Sequence, residues 1–187
     1  MQFRRFDISG LLEIIPTRHS DERGYFAEIF REDRFTAEAG ETRFVQENQS
    51  LSVRQGTIRG IHFQTDPFAQ GKLVRCTSGA IFDVAVDLRH GSPTFARWIA
   101  VELTPERANQ LWIPVGFGHA FCTLQENSTV CYKVTAGYSA PHDGGVAWDD
   151  PAFAIAWPAL ADASTLSAKD RVQPGLAELG VPFRMER

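Results

Sequence analysis

Nowhere in the chain do apolar residues run together for the ~18 positions that a membrane-spanning helix needs. The residues after Met1, QFRRFDISG, also lack the apolar stretch that opens a secretory signal. Cysteine is scarce. Cys76, Cys122 and Cys131 form an odd set with no CxxC spacing, which indicates neither a disulfide framework nor a zinc site and fits a reducing compartment. Positive charge is in deficit as well. A net charge of -4 and a pI near 5.7 argue against a general binder of nucleic acid or of acidic membranes. Several catalytic signatures are missing too. Without GxSxG, a Cys beside a His, a P-loop or GxGxxG, covalent hydrolysis, P-loop nucleotide chemistry and dinucleotide redox chemistry drop out. The expectation is a soluble cytoplasmic protein with neither nucleic acid nor membrane as partner. Its 187 residues, 43% hydrophobic, suffice to bury the core of one domain spanning 1–187.

What the chain does contain is short alternating segments broken by turn residues, with no internal repeat, low-complexity tract or linker. Phe3, Phe6, Ile8, Leu11, Leu12, Ile14 and Ile15 predict one or two early strands, closed by Pro16. The turn Asp21–Gly24 leads to a strand over Tyr25, Phe26, Ile29 and Phe30. A short helix is predicted over 33–39, ended by Gly40. In 80–88, Phe82, Val84, Val86 and Leu88 alternate with Asp83, Ala85 and Asp87, which predicts a half-buried strand with carboxylates on its second face. Further alternation over 98–103, 110–115, 119–124 and 130–134 gives strand after strand, the mark of an antiparallel sandwich or barrel. After Pro158 the composition shifts to Ala, Leu and Ser, which predicts a helical tail interrupted by Pro174 and Gly175.

The stretch TIRGIHFQTDPFAQGKLVR (57–75) carries unlike chemistry on core-like β-structure. Arg59, His62 and Lys72 stand beside Ile58, Ile61, Phe63, Leu73 and Val74. His62 is the leading general base, since imidazole titrates nearest neutrality. Lys72 suits a developing oxyanion, and the hydroxyl of Tyr132 suits proton donation. Taken singly, each has a plainer reading: an exposed edge residue, a satisfied core histidine, a buried hydroxyl on a carbonyl. A second strand histidine, His119, raises a metal pair, but there is no HxH and no nearby HxxxE, so no metal is expected. Strict alternation sets Arg59 and His62 on opposite faces of one strand. Either Gly60 makes a bulge that re-aims one of them, or Arg59 acts from the rim. Acid–base work on an anionic small molecule, without a cofactor, is what survives.

The segments DERGYFAEIF, FVQENQSLS, TIRGIHFQ, QGKLVRCTSGAIFDVAVDLRHGSPTF, QLWIPVGFGHAF, VCYKVTAGY and LSAKD, in order over nearly the whole chain, resemble the dTDP-4-dehydrorhamnose 3,5-epimerase family. The resemblance implies an all-β, cupin-like jelly roll with short helices, acting as a homodimer without metal or redox cofactor. The implied substrate is dTDP-4-dehydro-6-deoxyglucose, on the route to L-rhamnose. It further implies His62 as base, Asp170 as its carboxylate partner, Tyr132 as acid and Lys72 beside the ketone oxygen. Arg23, Glu28, Gln46, Asn48, Arg59, His119 and Lys169 correspond to substrate and diphosphate contacts, and Tyr138 to the aromatic that stacks on thymine. The run 139–145, SAPHDGG, departs from the family's usual Pro-Glu and Glu-Arg-Gly pattern. Asp143 stands where a glutamate is usual and Gly144 where arginine is frequent, both near the nucleotide end. Relatives that invert only C3 or only C5, ketoisomerases, a metal-dependent cupin oxygenase and a non-catalytic sugar-nucleotide binder are the alternatives.

Overall fold

The computed structural model describes residues 1–185. Two short strands, β1 (Gln2–Arg5) and β2 (Leu12–Ile15), precede the hairpin of β3 (Arg18–Asp21) and β4 (Gly24–Ala27). Helix α1 (Glu32–Ala39) follows, ending where Gly40 takes φ 84° and donates its N–H to the Thr36 carbonyl. Then come β5 (Gln46–Ser52), β6 (Ile58–Gln64), β7 (Lys72–Ser78), β8 (Ile81–Asp87) and β9 (Arg89–His90). The remainder are β10 (Trp98–Leu103), β11 (Gln110–Ile113), β12 (Phe117–Thr123), β13 (Ser128–Val134), β14 (Asp143–Gly145) and β15 (Phe183–Arg184). Among the described residues no helix is long and apolar enough to cross a membrane.

The long strands form two antiparallel sheets, ordered β1-β2-β11-β7-β13-β5 and β10-β8-β12-β6-β14. They pack face to face as a jelly roll, because alternate residues of each sheet are apolar and must be covered. Val74, Leu111, Ile113 and Val130 of the first sheet meet Ile81, Ala85, Val101 and Phe121 of the second in one dry core. Outside the first sheet, α1 lays Phe35 against Leu12, Ile14, Leu73 and Trp112. Outside the second, the chain beyond β14 covers Val84, Val86 and Leu88 with Phe153, Phe183, Trp157 and Leu176.

That covering corrects two expectations. The segment after Pro158 is not a run of α-helix. It holds two single-turn 3-10 helices, 163–165 and 170–172, because its role is to follow the sheet's outer face rather than to pack one helical stripe. Strand β8 is not half-buried, since both its faces are covered. Phe82, Val84, Val86 and Leu88 look toward the tail, so Asp83 and Asp87 lie on the face that includes Ile81 and Ala85, between the sheets. Each carboxylate is answered locally: Asp83 by His119, and Asp87 by Arg89, Ser92 and Thr94. The strand after the Asp21–Gly24 turn also stops early, at Ala27, leaving Ile29 and Phe30 outside it.

The Gly60 question is answered by the register of β6 on β12. His119 pairs with His62, but Phe121 pairs with Arg59, so β6 carries one residue more than its partner there. Arg59 and His62 are thereby brought to the same side. Gly60 sits at φ 115°, and a Cβ there would lie 2.6 Å from the His119 carbonyl oxygen and 2.7 Å from Ala120 Cα. Gly60→Ala is therefore expected to destabilise the protein by more than about 1 kcal/mol, with a lowered melting temperature as the readout. Unchanged melting would mean that the bulge tolerates a side chain.

Candidate active site

Beside the dry core the two sheets part around a cavity of about 740 Å³. From the second sheet, β6 contributes Arg59 and His62 and β12 contributes His119. From the first, β7 contributes Lys72, β13 Tyr132, and β5 Gln46 and Asn48. Tyr138 after β13, Asp143 of β14, and Lys169 and Asp170 of the tail add to the lining, and Gln64 at the end of β6 is among the other residues that border the cavity. Side chains distant in sequence meet because strands that are neighbours in space alternate between the chain's two halves.

His62 Nε2 lies 2.5 Å from Asp170 Oδ1. Burial alone would raise the Asp170 carboxyl, but the hydrogen bond and charge of His62, with help from Ser167 and Lys169, hold it below its ordinary value. An ionised carboxylate can only accept, so Nε2–H donates to it, and in the neutral ring the free lone pair is on Nδ1. The Ser167 hydroxyl accepts the Asp170 backbone N–H at 3.1 Å, and the Thr165 hydroxyl accepts that of Ile58 at 3.0 Å. These bonds tie the tail to the strand that bears His62.

Lys72 is 9% exposed, and burial pushes its ammonium down to about 8 against the opposing pull of Asp143 and Asp83. The Tyr132 hydroxyl is pushed up by burial, with Arg59 acting the other way. His119 is buried and bonds Asp83 Oδ1 through Nε2 at 2.8 Å, and burial drives its imidazole down and the Asp83 carboxyl up. At the mouth, Lys169 Nζ donates to Asp143 Oδ2 at 2.5 Å, and Tyr138 Oη donates to the same oxygen at 3.1 Å. Gln46 Nε2 donates to Asn48 Oδ1 at 2.6 Å. Among the described residues no three His, Cys, Asp or Glu side chains gather as a metal site would require.

Eleven of the sequence-derived residues thus border one cavity. Arg23 and Glu28 do not. Arg23 occupies the tip of the β3–β4 hairpin, its side chain 85% exposed and paired with Asp21, while Phe26 beside it is 71% exposed. The hairpin forms a sheet of its own and carries both residues away from the cavity of the same chain. Sequence reasoning missed Asp83 as the partner of His119. The available signal was two carboxylates at alternate positions within an otherwise apolar strand.

Fold and cavity together define a cupin-like jelly roll that holds an imidazole–carboxylate pair, a buried ammonium and a tyrosine between its sheets. Residues 5–178 match the dTDP-4-dehydrorhamnose 3,5-epimerase family. The chain is 52% identical over 184 residues to the dTDP-4-dehydrorhamnose 3,5-epimerase of Sinorhizobium fredii, covering 98% of this chain and 94% of that one. A dTDP-6-deoxy-D-glucose-3,5-epimerase of Legionella pneumophila, solved in complex with dTDP-4-keto-L-rhamnose, superposes with a TM-score of 0.93 at 39% identity, covering 100% and 99% of the two chains. A 3'-monoepimerase of Streptomyces bikiniensis, solved with dTDP-quinovose, superposes at 0.89 with 36% identity, covering 96% and 91%. The chain belongs to the dTDP-4-dehydrorhamnose 3,5-epimerase family, and hence to the isomerases that act on sugar nucleotides.

Proposed function

We propose that this protein inverts C3 and C5 of dTDP-4-dehydro-6-deoxy-D-glucose, giving dTDP-4-dehydro-L-rhamnose, by acid–base chemistry through an enolate. The observation that carries this reading is one cavity with His62, backed by Asp170, on one sheet and Tyr132 on the other, with the buried Lys72 beside them. Both target carbons flank the C4 ketone, so loss of either proton leaves charge on the C4 oxygen. His62 Nδ1 takes that proton, Asp170 stabilises the imidazolium, and Lys72 faces the oxyanion. Tyr132, kept protonated by its burial, delivers a proton to the opposite face. Each cycle leaves an imidazolium and a phenolate, which solvent resets. The new hydrogen on the inverted carbon therefore comes from water.

Arg59, Gln46, Asn48, His119 and Lys169 bind the sugar and the diphosphate, and Tyr138 stacks on thymine with Asp143 beside it. The exposed hairpin fits a homodimer in which Arg23 and Glu28 of each chain reach the cavity of a second copy. The setting is the cytoplasm. The Streptomyces bikiniensis likeness keeps inversion of a single centre as the competing reading. Incubation with the keto-sugar in D2O separates the two by NMR of the product. Deuterium at both C3 and C5 is the expected result. Label at one position only would replace the proposal with mono-epimerisation, and no label would remove acid–base epimerisation altogether.

A further inference from the structure

The segment that carries Tyr138 belongs to no strand. It runs from the end of β13 at Val134 to a single 3-10 turn, 140–142, and the Tyr138 side chain is 64% exposed. A ring so exposed is only as well placed as the backbone beneath it. That backbone is held by a residue that borders the cavity but has no part in the proton transfers proposed above. Gln64, the last residue of β6, is 3% exposed. Its Nε2 donates to the carbonyls of Phe68, at 2.7 Å, and Gly137, at 3.1 Å, while its Oε1 accepts the Ser139 N–H at 2.8 Å. Two of these bonds fall on the residues immediately before and after Tyr138. The orientation of the amide is forced, because a flip would set its oxygen against two carbonyls and its NH₂ against an N–H.

We infer that Gln64 is a positioning residue for recognition of the nucleotide base: it fixes the root of Tyr138, so that the ring stands at the mouth as a ready stacking surface. The inference rests on the reading of the ligand as a nucleoside-diphosphate sugar. Gln64 is three side-chain bonds rather than one, and it ends the same strand that holds His62. The strand that presents the base of the reaction therefore also presents the platform for the nucleotide. The other ties on the segment come from separate residues, each with a single bond to it. Gln70 donates to the Ala136 carbonyl at 2.7 Å, the Tyr138 N–H reaches Gln46 Oε1 at 3.4 Å, and Asp143 holds the ring's hydroxyl tip.

Gln64→Met keeps the side chain's length and removes all three bonds. The dissociation constant for dTDP and the KM for the keto-sugar are expected to rise roughly tenfold, with kcat held within about threefold. Pyrophosphate, which has no base to stack, should bind within about twofold of the wild-type affinity. Adding Tyr138→Ala to Q64M should cost little further dTDP affinity, since the platform is already lost. Equal weakening of dTDP and pyrophosphate, or losses that multiply in the double variant, would overturn the inference. If Q64M unfolds below the assay temperature, Gln64→Glu carries the same test, since it keeps the acceptor toward Ser139 but sets a carboxylate against two carbonyls. Hydrogen exchange at the Ser139 amide in ligand-free protein is the independent reading. Faster exchange in Q64M, which removes the acceptor, supports the clamp, and an unchanged rate in Q64M overturns it. A wild-type protein that bound no dTDP would sink the functional proposal, and the exchange measurement would still judge the clamp.

Discussion

His62→Ala is expected to lower epimerisation by roughly 10²- to 10⁴-fold, the range that a positioned general base supplies. Solvent deuterium should fail to enter C3 and C5 on the timescale of the wild-type reaction, while calorimetry finds dTDP affinity little changed. The imidazole is the group that converts a ketone's neighbouring C–H into an enolate. Alanine leaves the cavity open and Asp170 without its imidazole partner. The Asp170 carboxyl, held down by His62 in the wild type, should then titrate higher, since burial is its largest influence and acts in the opposite direction. Retention of label uptake near the wild-type rate would mean that another group removes the proton, and His119, the other cavity imidazole, would be the first to suspect.

Lys72→Met should cost about 2.7–4 kcal/mol in the barrier, close to 10²- to 10³-fold in kcat, as the loss of a fixed donor to an oxyanion does. The ammonium is displaced to about 8 chiefly by burial. The cation is therefore present below that pH and lost as pH rises through it. Wild-type kcat/KM, which reports the free enzyme, should fall on an alkaline limb near pH 8, and the variant's profile should lack that limb. The sign for stability is the reverse of that for activity. A lysine whose folded pKa is depressed weakens the fold at neutral pH, and the penalty fades as pH rises from about 8 toward the ordinary lysine range. Methionine, of similar length and uncharged, should thus melt no lower than the wild type at pH 7 while losing most of the activity. A variant that lost both stability and activity would make Lys72 a structural residue and would remove the argument for an oxyanion role.

The amino-acid sequence by itself determined the class of fold and most of the cavity's inventory. Period-two alternation in segments such as 98–103 admits little but antiparallel strands, and polar residues set among apolar ones in 57–75 marked where chemistry would lie. The helix at 32–39 was legible to within one residue, because its glycine stop is a local signal. Tertiary structure alone decided which face of β8 looks inward. The alternation is identical either way, and only the tail packed on Val84, Val86 and Leu88 sends Asp83 toward His119. It also decided that Arg59 and His62 share a side, through an extra residue visible only in the pairing of β6 with β12. Arg23 and Glu28 were named from sequence yet stand at the tip of a hairpin and just past its end, outside their own chain's cavity, because motif order carries no information on where a projecting element points. Local sequence fixes periodicity and hydrogen-bonding type. Direction comes from what each face is packed against, and that is supplied by residues a hundred positions away.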